Sequence, residues 1–176
     1  MALKTDIRGM VYEYPGTFVV GREQIRQYAN AVKAKDSASH DEAAAAELGH
    51  NAIVAPLTFM SIFAVMIQNH FFQNVDVGLE TLQIVQVDQK FLFRRPIKAG
   101  DELTGTMHVL TVVERFGADI VTTHNVLSDP SGEVVMESYT TLMGHEGDHS
   151  ISVKWDPETG QVLRTPDKPT DDADTD

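Results

Sequence analysis

The chain has 176 residues, with 14 basic and 26 acidic side chains and a formal net charge of −12. That length suits one domain, and 42% hydrophobic residues are enough to build a core. The surplus of acid argues against a nucleic-acid binder or a protein docked on an anionic membrane, since both need a basic face. The absence of cysteine excludes disulfides, thiolate metal sites and a cysteine nucleophile.

The charge is uneven. Residues 145–176 carry nine acids and three bases, which is half of the −12. Within them, 165–176 hold five aspartates and almost nothing to bury, the composition of a disordered acidic tail. The expected division is a folded domain over 1–146, a C-terminal arm over 147–164 and the tail over 165–176. Residues 151–155 alternate and read as a short edge strand or a packed arm. The N-terminus has no leader-like apolar stretch, and the most apolar run, 57–67, is far shorter than the about 20 residues of a membrane span. A cytoplasmic protein is expected.

In chain order, a strand is expected near 11–14 or 18–20. Ile25, Tyr28, Ala29 and Val32 then fall at helical spacing over 22–33. Ser39-His40-Asp41-Glu42 has the form of a capping box, with Ser39 as the cap of a helix running to Leu48 and ending at Gly49. From Pro56, suited to a first helical turn, to Phe72 the sequence is apolar nearly all round, which predicts a helix buried on most sides. Four runs rich in Val, Ile, Thr, Phe and Leu follow, at about 81–94, 103–114, 118–127 and 133–143. Turn residues separate them: Pro96 with Gly100-Asp101, Arg115-Phe116-Gly117, and Asp129-Pro130-Ser131-Gly132. The short connections predict that consecutive strands are antiparallel neighbours. Helices first and strands after define an α+β protein.

Two motifs carry a resemblance. Phe91-x-Phe93-x-x-Pro96-x-x-x-Gly100-Asp101 resembles the strand-and-turn signature of MaoC-like dehydratases. Gly49 followed by Val54-Ala55-Pro56-Leu57-Thr58-Phe59 resembles their loop into the central helix. The segments 1–10, 20–24 and 83–89 are more closely similar to the C subunits of mycobacterial-type (3R)-hydroxyacyl-acyl-carrier-protein dehydratases. The resemblance covers about 1–165. It implies a hot-dog fold, an antiparallel sheet wrapped around one long helix, and edge-to-edge pairing of two such domains with an acyl tunnel at their interface.

The family chemistry dehydrates a 3-hydroxyacyl thioester. In its catalytic members an Asp and a His, within Gly-Asp-x-Asn-Pro-x-His, move the protons, and a backbone N–H at the start of the central helix, usually from Gly, stabilises the enolate-like oxygen. Counting from Gly49 without gaps puts Ala34 at the Asp position and Ser39 at the His position, and Leu57 replaces the helix-start glycine. Ala34 and Leu57 cannot do acid–base work. The resemblance therefore implies a subunit without the dyad, paired with a catalytic B-type subunit. It would work on long 3-hydroxyacyl groups delivered by an acyl carrier protein in type II fatty-acid elongation toward mycolic acid precursors, with no cofactor and no metal. Pro56, Leu57, Thr58, Phe59, Met60 and Phe63 (with Met66) are the expected lining of the acyl channel. Lys90, Arg94, Arg95 and Lys98 are the expected docking patch for the carrier protein or the partner.

Other residues invite competing readings. Asp36 and His40 lie near the vacant positions and would restore a dyad after a one-residue shift, although Ser37-Ala38 replaces Asn-Pro. That gives the alternative of an active dehydratase, and a stand-alone acyl-binding homodimer is the other alternative. Asp88 is an acid inside a strand-like run, of the kind some hot-dog enzymes use at a dimer groove. His145-Glu146-Gly147-Asp148-His149 matches His-Glu-x-x-His, but that motif works only on a helix, and glycines interrupt this one.

Overall fold

The computed structural model describes residues 7–77, 82–115, 118–146, 151–156 and 161–166. Short strands β1 (Val11–Glu13) and β2 (Phe18–Val19) precede helix α1 (Arg22–Ala31). A single 3-10 turn, Ser37–Ser39, leads to the short helix α2 (Glu42–Glu47) and then to the central helix α3 (Ser61–Asn74). Four long strands follow: β3 (Leu82–Phe93), β4 (Glu102–Arg115), β5 (Ala118–Ser128) and β6 (Val134–Glu146). A hairpin of β7 (Ile151–Asp156) and β8 (Gln161–Pro166) forms a separate two-stranded sheet.

The main sheet has the order β1-β4-β5-β6-β3, with β2 also on β4, and every pairing in it is antiparallel. The strand assignments from β-branched and aromatic runs hold for all four long strands, and both candidate N-terminal strands exist. The expected order does not. β3 and β4 are consecutive but lie on opposite sides of the sheet, because β3 pairs with β6. The segment between them is a crossing, not a hairpin turn. Ala55 N donates to Ile97 O at 2.8 Å, Ala99 N donates to Ile53 O at 3.0 Å, and Val54 bridges Lys98. The backbone groups that a β3–β4 hairpin would need are thus taken by residues 53–55.

Helix α3 packs against the main sheet. Phe63, Ile67 and Phe71 are buried with Phe59 and Met60 against Leu103, Met107, Val109, Leu127 and Met136. This is the hot-dog arrangement. Gly105 on β4 lets the helix approach: a Cβ there would stand 2.4 Å from Ile67 Cδ1 and 3.2 Å from Phe63 Cζ.

Several local expectations need correction. The central helix begins at Ser61, because residues 57–60 form tight turns with Phe59 N donating to Pro56 O at 2.8 Å. Its buried residues are Phe63, Ala64, Ile67 and Phe71, and Val65 and Met66 are exposed on it. Ser39 is not a helix cap. Asp41 caps α2 by accepting from Ala44 N at 2.9 Å. Val32 lies just past α1 and is exposed. Residues 151–156 are a strand, but they pair with 161–166 and not with the edge of the main sheet. Thr165 and Pro166, expected in the tail, end β8, and 167–176 lie outside the described residues.

Candidate functional site

Ala34 and Ser39, the two positions counted back from Gly49, fall in the stretch between α1 and α2. Lys33 adopts a left-handed conformation (φ 55°) that ends the helix, and Ala34 N donates back to Ala29 O at 2.8 Å. Asp36 is exposed, and its carboxylate accepts from Ala38 N at 3.0 Å, an ordinary turn-capping bond. His40 Nε2 donates to the carbonyl of Ala34 at 2.9 Å, while the His40 carbonyl accepts from Arg26 Nε at 2.9 Å. Each candidate of the alternative dyad is thus bonded to backbone. Among the described residues no hydrogen bond joins Asp36 to His40.

Ser39 is 2% exposed, and its hydroxyl donates to Val54 O at 2.7 Å. Val54 N in turn donates to Ala38 O at 3.0 Å. The loop is therefore stitched to the segment that enters the central helix. An open cleft of about 310 Å³ lies alongside, walled by Val54, Ala55 and Leu57 on one side and by residues 93–97 on the other. Its titratable groups are Arg94 and Arg95, and it holds no carboxylate or imidazole. Leu57, counted at the position where the resemblance expects a glycine, is 71% exposed.

The expected channel residues separate. Leu57 lines the cleft with half-buried Pro56 beside it, and Thr58 is exposed with its carbonyl accepting from Tyr28 at 2.9 Å. Phe59, Met60 and Phe63 are fully buried core residues. Phe18 stacks on Phe63, and Tyr28 meets Phe59 edge-on. Met66 is exposed on α3. A second cavity, which the sequence did not reveal, lies at the other end of the helix. It is a narrow, mostly apolar crevice of about 20 Å³ between α3 (Gln68, Phe71, Phe72) and the sheet (Met107, Thr123, Leu142 and others).

The basic residues do not form one free patch. Arg94 pairs with Glu137. Arg95 pairs with Asp101 at 2.7 Å and lies 3.9 Å from Asp129. Lys98 Nζ donates to Asn51 at 2.6 Å. Lys90 sits over the Tyr139 ring on the outer face of the sheet, beside a stack of Tyr139, His124 and His108. Arg94, and then His124 at 3.0 Å, hold the Glu137 carboxyl below its ordinary pKa.

Asp88 is exposed on β3 beside a bulge. His145 stands in β6 and not on a helix, and His149 lies outside the described residues. Among the described residues no cluster of three His, Asp or Glu could hold a metal ion, and no helix is long and apolar enough to cross a membrane. Sequence reasoning also missed the pairing of Tyr12 with His70 on α3, because two residues 58 apart leave no local pattern.

Comparison with known proteins places this geometry. The profile of the FAS1-like dehydratase domain region matches residues 7–138. A UPF0336 protein of Mycolicibacterium paratuberculosis is 60% identical over 166 residues, which is 94% of this chain and 99% of the relative. The crystal structure of a C-terminally truncated HadBC (3R-hydroxyacyl-ACP dehydratase) complex from Mycobacterium tuberculosis contains a chain that is 56% identical, with a TM-score of 0.76 over 81% of this chain and 100% of that one. The structure of a MaoC-like dehydratase is 37% identical with a TM-score of 0.74, and there the match covers 82% of this chain but 44% of the other. The chain belongs to the FAS1-like, MaoC-type dehydratase family that includes these UPF0336 proteins.

Proposed function

We propose that this chain is the non-catalytic subunit of a heterodimeric (3R)-hydroxyacyl-acyl-carrier-protein dehydratase, which stabilises a catalytic B-type partner and shapes the channel for long acyl chains in mycolic acid precursor elongation. One observation carries the reading. Where the family needs an Asp and a His, this loop has Ala34 and Ser39, and the Ser39 hydroxyl is spent on Val54 O. The neighbouring cleft has no group able to pass a proton at neutral pH, since arginine stays protonated.

The outer edge of β3 supports the partner. Among the described residues β3 is the last strand on that side of the sheet, and Ile84, Val85 and Val87 are exposed on it. An exposed apolar edge strand is a template for pairing and is normally covered. Val65 and Met66 add apolar surface on α3. The matched structure is of a HadBC (3R-hydroxyacyl-ACP dehydratase) complex, and the MaoC-like dehydratase chain is more than twice the length matched here, with room for a second unit of this size. The paired basic residues leave carrier-protein docking mainly to the catalytic partner, with Lys90 and Lys98 as the contribution of this chain.

Native mass measurement after expression with and without a B-type partner tests the assembly. A one-to-one complex is expected. A homodimer that persists unchanged in the presence of the partner supports the stand-alone reading instead.

A further inference from the structure

No Asp, Glu, Lys or Arg stands in the 14 residues of α3, although 23% of the sequence is charged. A helix without charge is one that is covered on most sides. Phe63, Ala64, Ile67 and Phe71 are buried against the sheet. One flank is covered by β1 and the residue after it, where Tyr12 bonds to His70 Nδ1 and Tyr14 meets the same ring edge-on. The other flank is open. Ser61, Val65, Gln68 and Phe72 follow it at i, i+4, i+7 and i+11, and none of them is fully buried. Asn69, beside Gln68, is exposed.

The open flank faces β3. Gln68 and Phe72 line the small crevice under α3 together with Ile84 of β3, Leu142 of β6 and Asp119 of β5, its one charged group. At about 20 Å³ the crevice is a joint and not a ligand pocket. It marks where the surface of the helix runs into the β3 edge, whose Ile84, Val85 and Val87 are exposed. Gln68 is half-buried there, and its amide makes no hydrogen bond among the described residues. Covering this surface buries the amide completely, and a buried amide needs a partner. A charged side chain set against the flank would be buried without a counter-charge on α3. The surface therefore fits an uncharged apolar element that brings one hydrogen-bonding group to Gln68.

We infer that the open flank of α3 seats an uncharged helix of the catalytic partner, and that Gln68 is the residue that recognises it, through an amide or hydroxyl side chain on that helix. This rests on the heterodimer reading above. A partner sheet that continues past β3 brings its own helix layer level with α3, because each domain stacks one layer of helix on one layer of sheet. Helices packed side by side stand about 8–10 Å apart, and α3 offers about 21 Å of length. A single amide in an otherwise apolar helix contact selects among partners, since a wrong partner leaves it unpaired.

The chain has no cysteine, so a single introduced thiol reports on one position. Full-length chains carrying Val65→Cys, Asn69→Cys or, as a control on α1, Gln27→Cys are treated with a maleimide, alone and with the B-type subunit. Native mass measurement of the same samples records whether the complex is present. In the complex, labelling at 65 and 69 is expected to slow at least tenfold while labelling at 27 is unchanged. The dissociation constant is then measured for Gln68→Leu. Recognition of the amide predicts binding weakened about five- to tenfold, the loss of one net hydrogen bond. Simple apolar contact predicts the opposite sign, since leucine adds apolar area. A complex in which 65 and 69 stay as reactive as in the free chain overturns the inference. So does equal protection at 27, protection in the isolated chain, which makes the occupant a second copy, or Gln68→Leu binding as tightly as the native chain or more so. Absence of any complex refutes the heterodimer reading itself and the helix seat with it.

Discussion

Gly105 on β4 and Ile67 on α3 are in such close contact that a methyl group at position 105 would lie 2.4 Å from Ile67 Cδ1. The neighbourhood cannot yield easily, because Ile67 and Phe63 are fully buried. Gly105→Ala should therefore destabilise the chain by about 1–3 kcal/mol, the usual cost of overpacking a core. Gly105→Ala combined with Ile67→Val, which removes the clashing Cδ1, should recover part of the loss. Thermal unfolding of the two variants checks this.

Ser39→Ala tests the tie between the loop after α1 and the segment that enters α3. The substitution removes the bond to Val54 O and should cost about 1 kcal/mol of stability. It should leave the turnover of the assembled enzyme at its original value per folded complex. Asp41→Ala should cost a similar amount, about 0.5–2 kcal/mol, through loss of the α2 cap. Denaturant unfolding of the pair separates the cap from the loop tie: a Ser39 that capped the helix would make Asp41→Ala silent.

Glu137 gives a pH-dependent contribution with a defined sign. Its folded pKa lies below its unfolded value, chiefly through Arg94 and then His124. Stability from this source is present above the ordinary glutamate pKa of about 4.3 and is lost as pH falls through the depressed folded value. Glu137→Gln should thus be less stable than the native chain at neutral pH, and the difference should close in the acid range. Melting curves from neutral to strongly acid pH read it out.

The β3 edge should be needed for assembly and dispensable for folding. Val85 is 57% exposed, so Val85→Asp should leave the melting temperature of the isolated chain nearly unchanged. The same change buries an unpaired carboxylate if the edge is covered by a partner. Co-purification with the B-type subunit should fall at least tenfold.

Much of this was legible in the chain. The long strands announced themselves because Val, Ile and Thr recur over many residues. The strand order was not legible. Pro96 to Asp101 has the composition of a hairpin turn, and only the distant residues 53–55, by taking its backbone bonds, make it a crossing. Ser39 and Asp41 are both good caps two residues apart, and tertiary contact with Val54 decides between them. The channel assignment also depended on depth. Phe59, Met60 and Phe63 have the right chemistry for an acyl wall, yet they are the residues on which α3 and the sheet close. The buried Asn125 gave no signal either: between His124 and Val126 it reads equally well as an outward position, and only its bond to Ser138 on the neighbouring strand places it inside.

The central claim is that this chain contributes no acid–base group to the reaction, and one measurement bears on it most directly: dehydration of a (3R)-hydroxyacyl thioester by the chain alone, by the chain with its B-type partner, and by the same complex carrying His40→Ala. The account predicts no turnover for the chain alone, turnover for the complex, and the same turnover after His40→Ala. Robust turnover by the isolated chain that is lost on His40→Ala would contradict it and restore Asp36 and His40 as the catalytic pair.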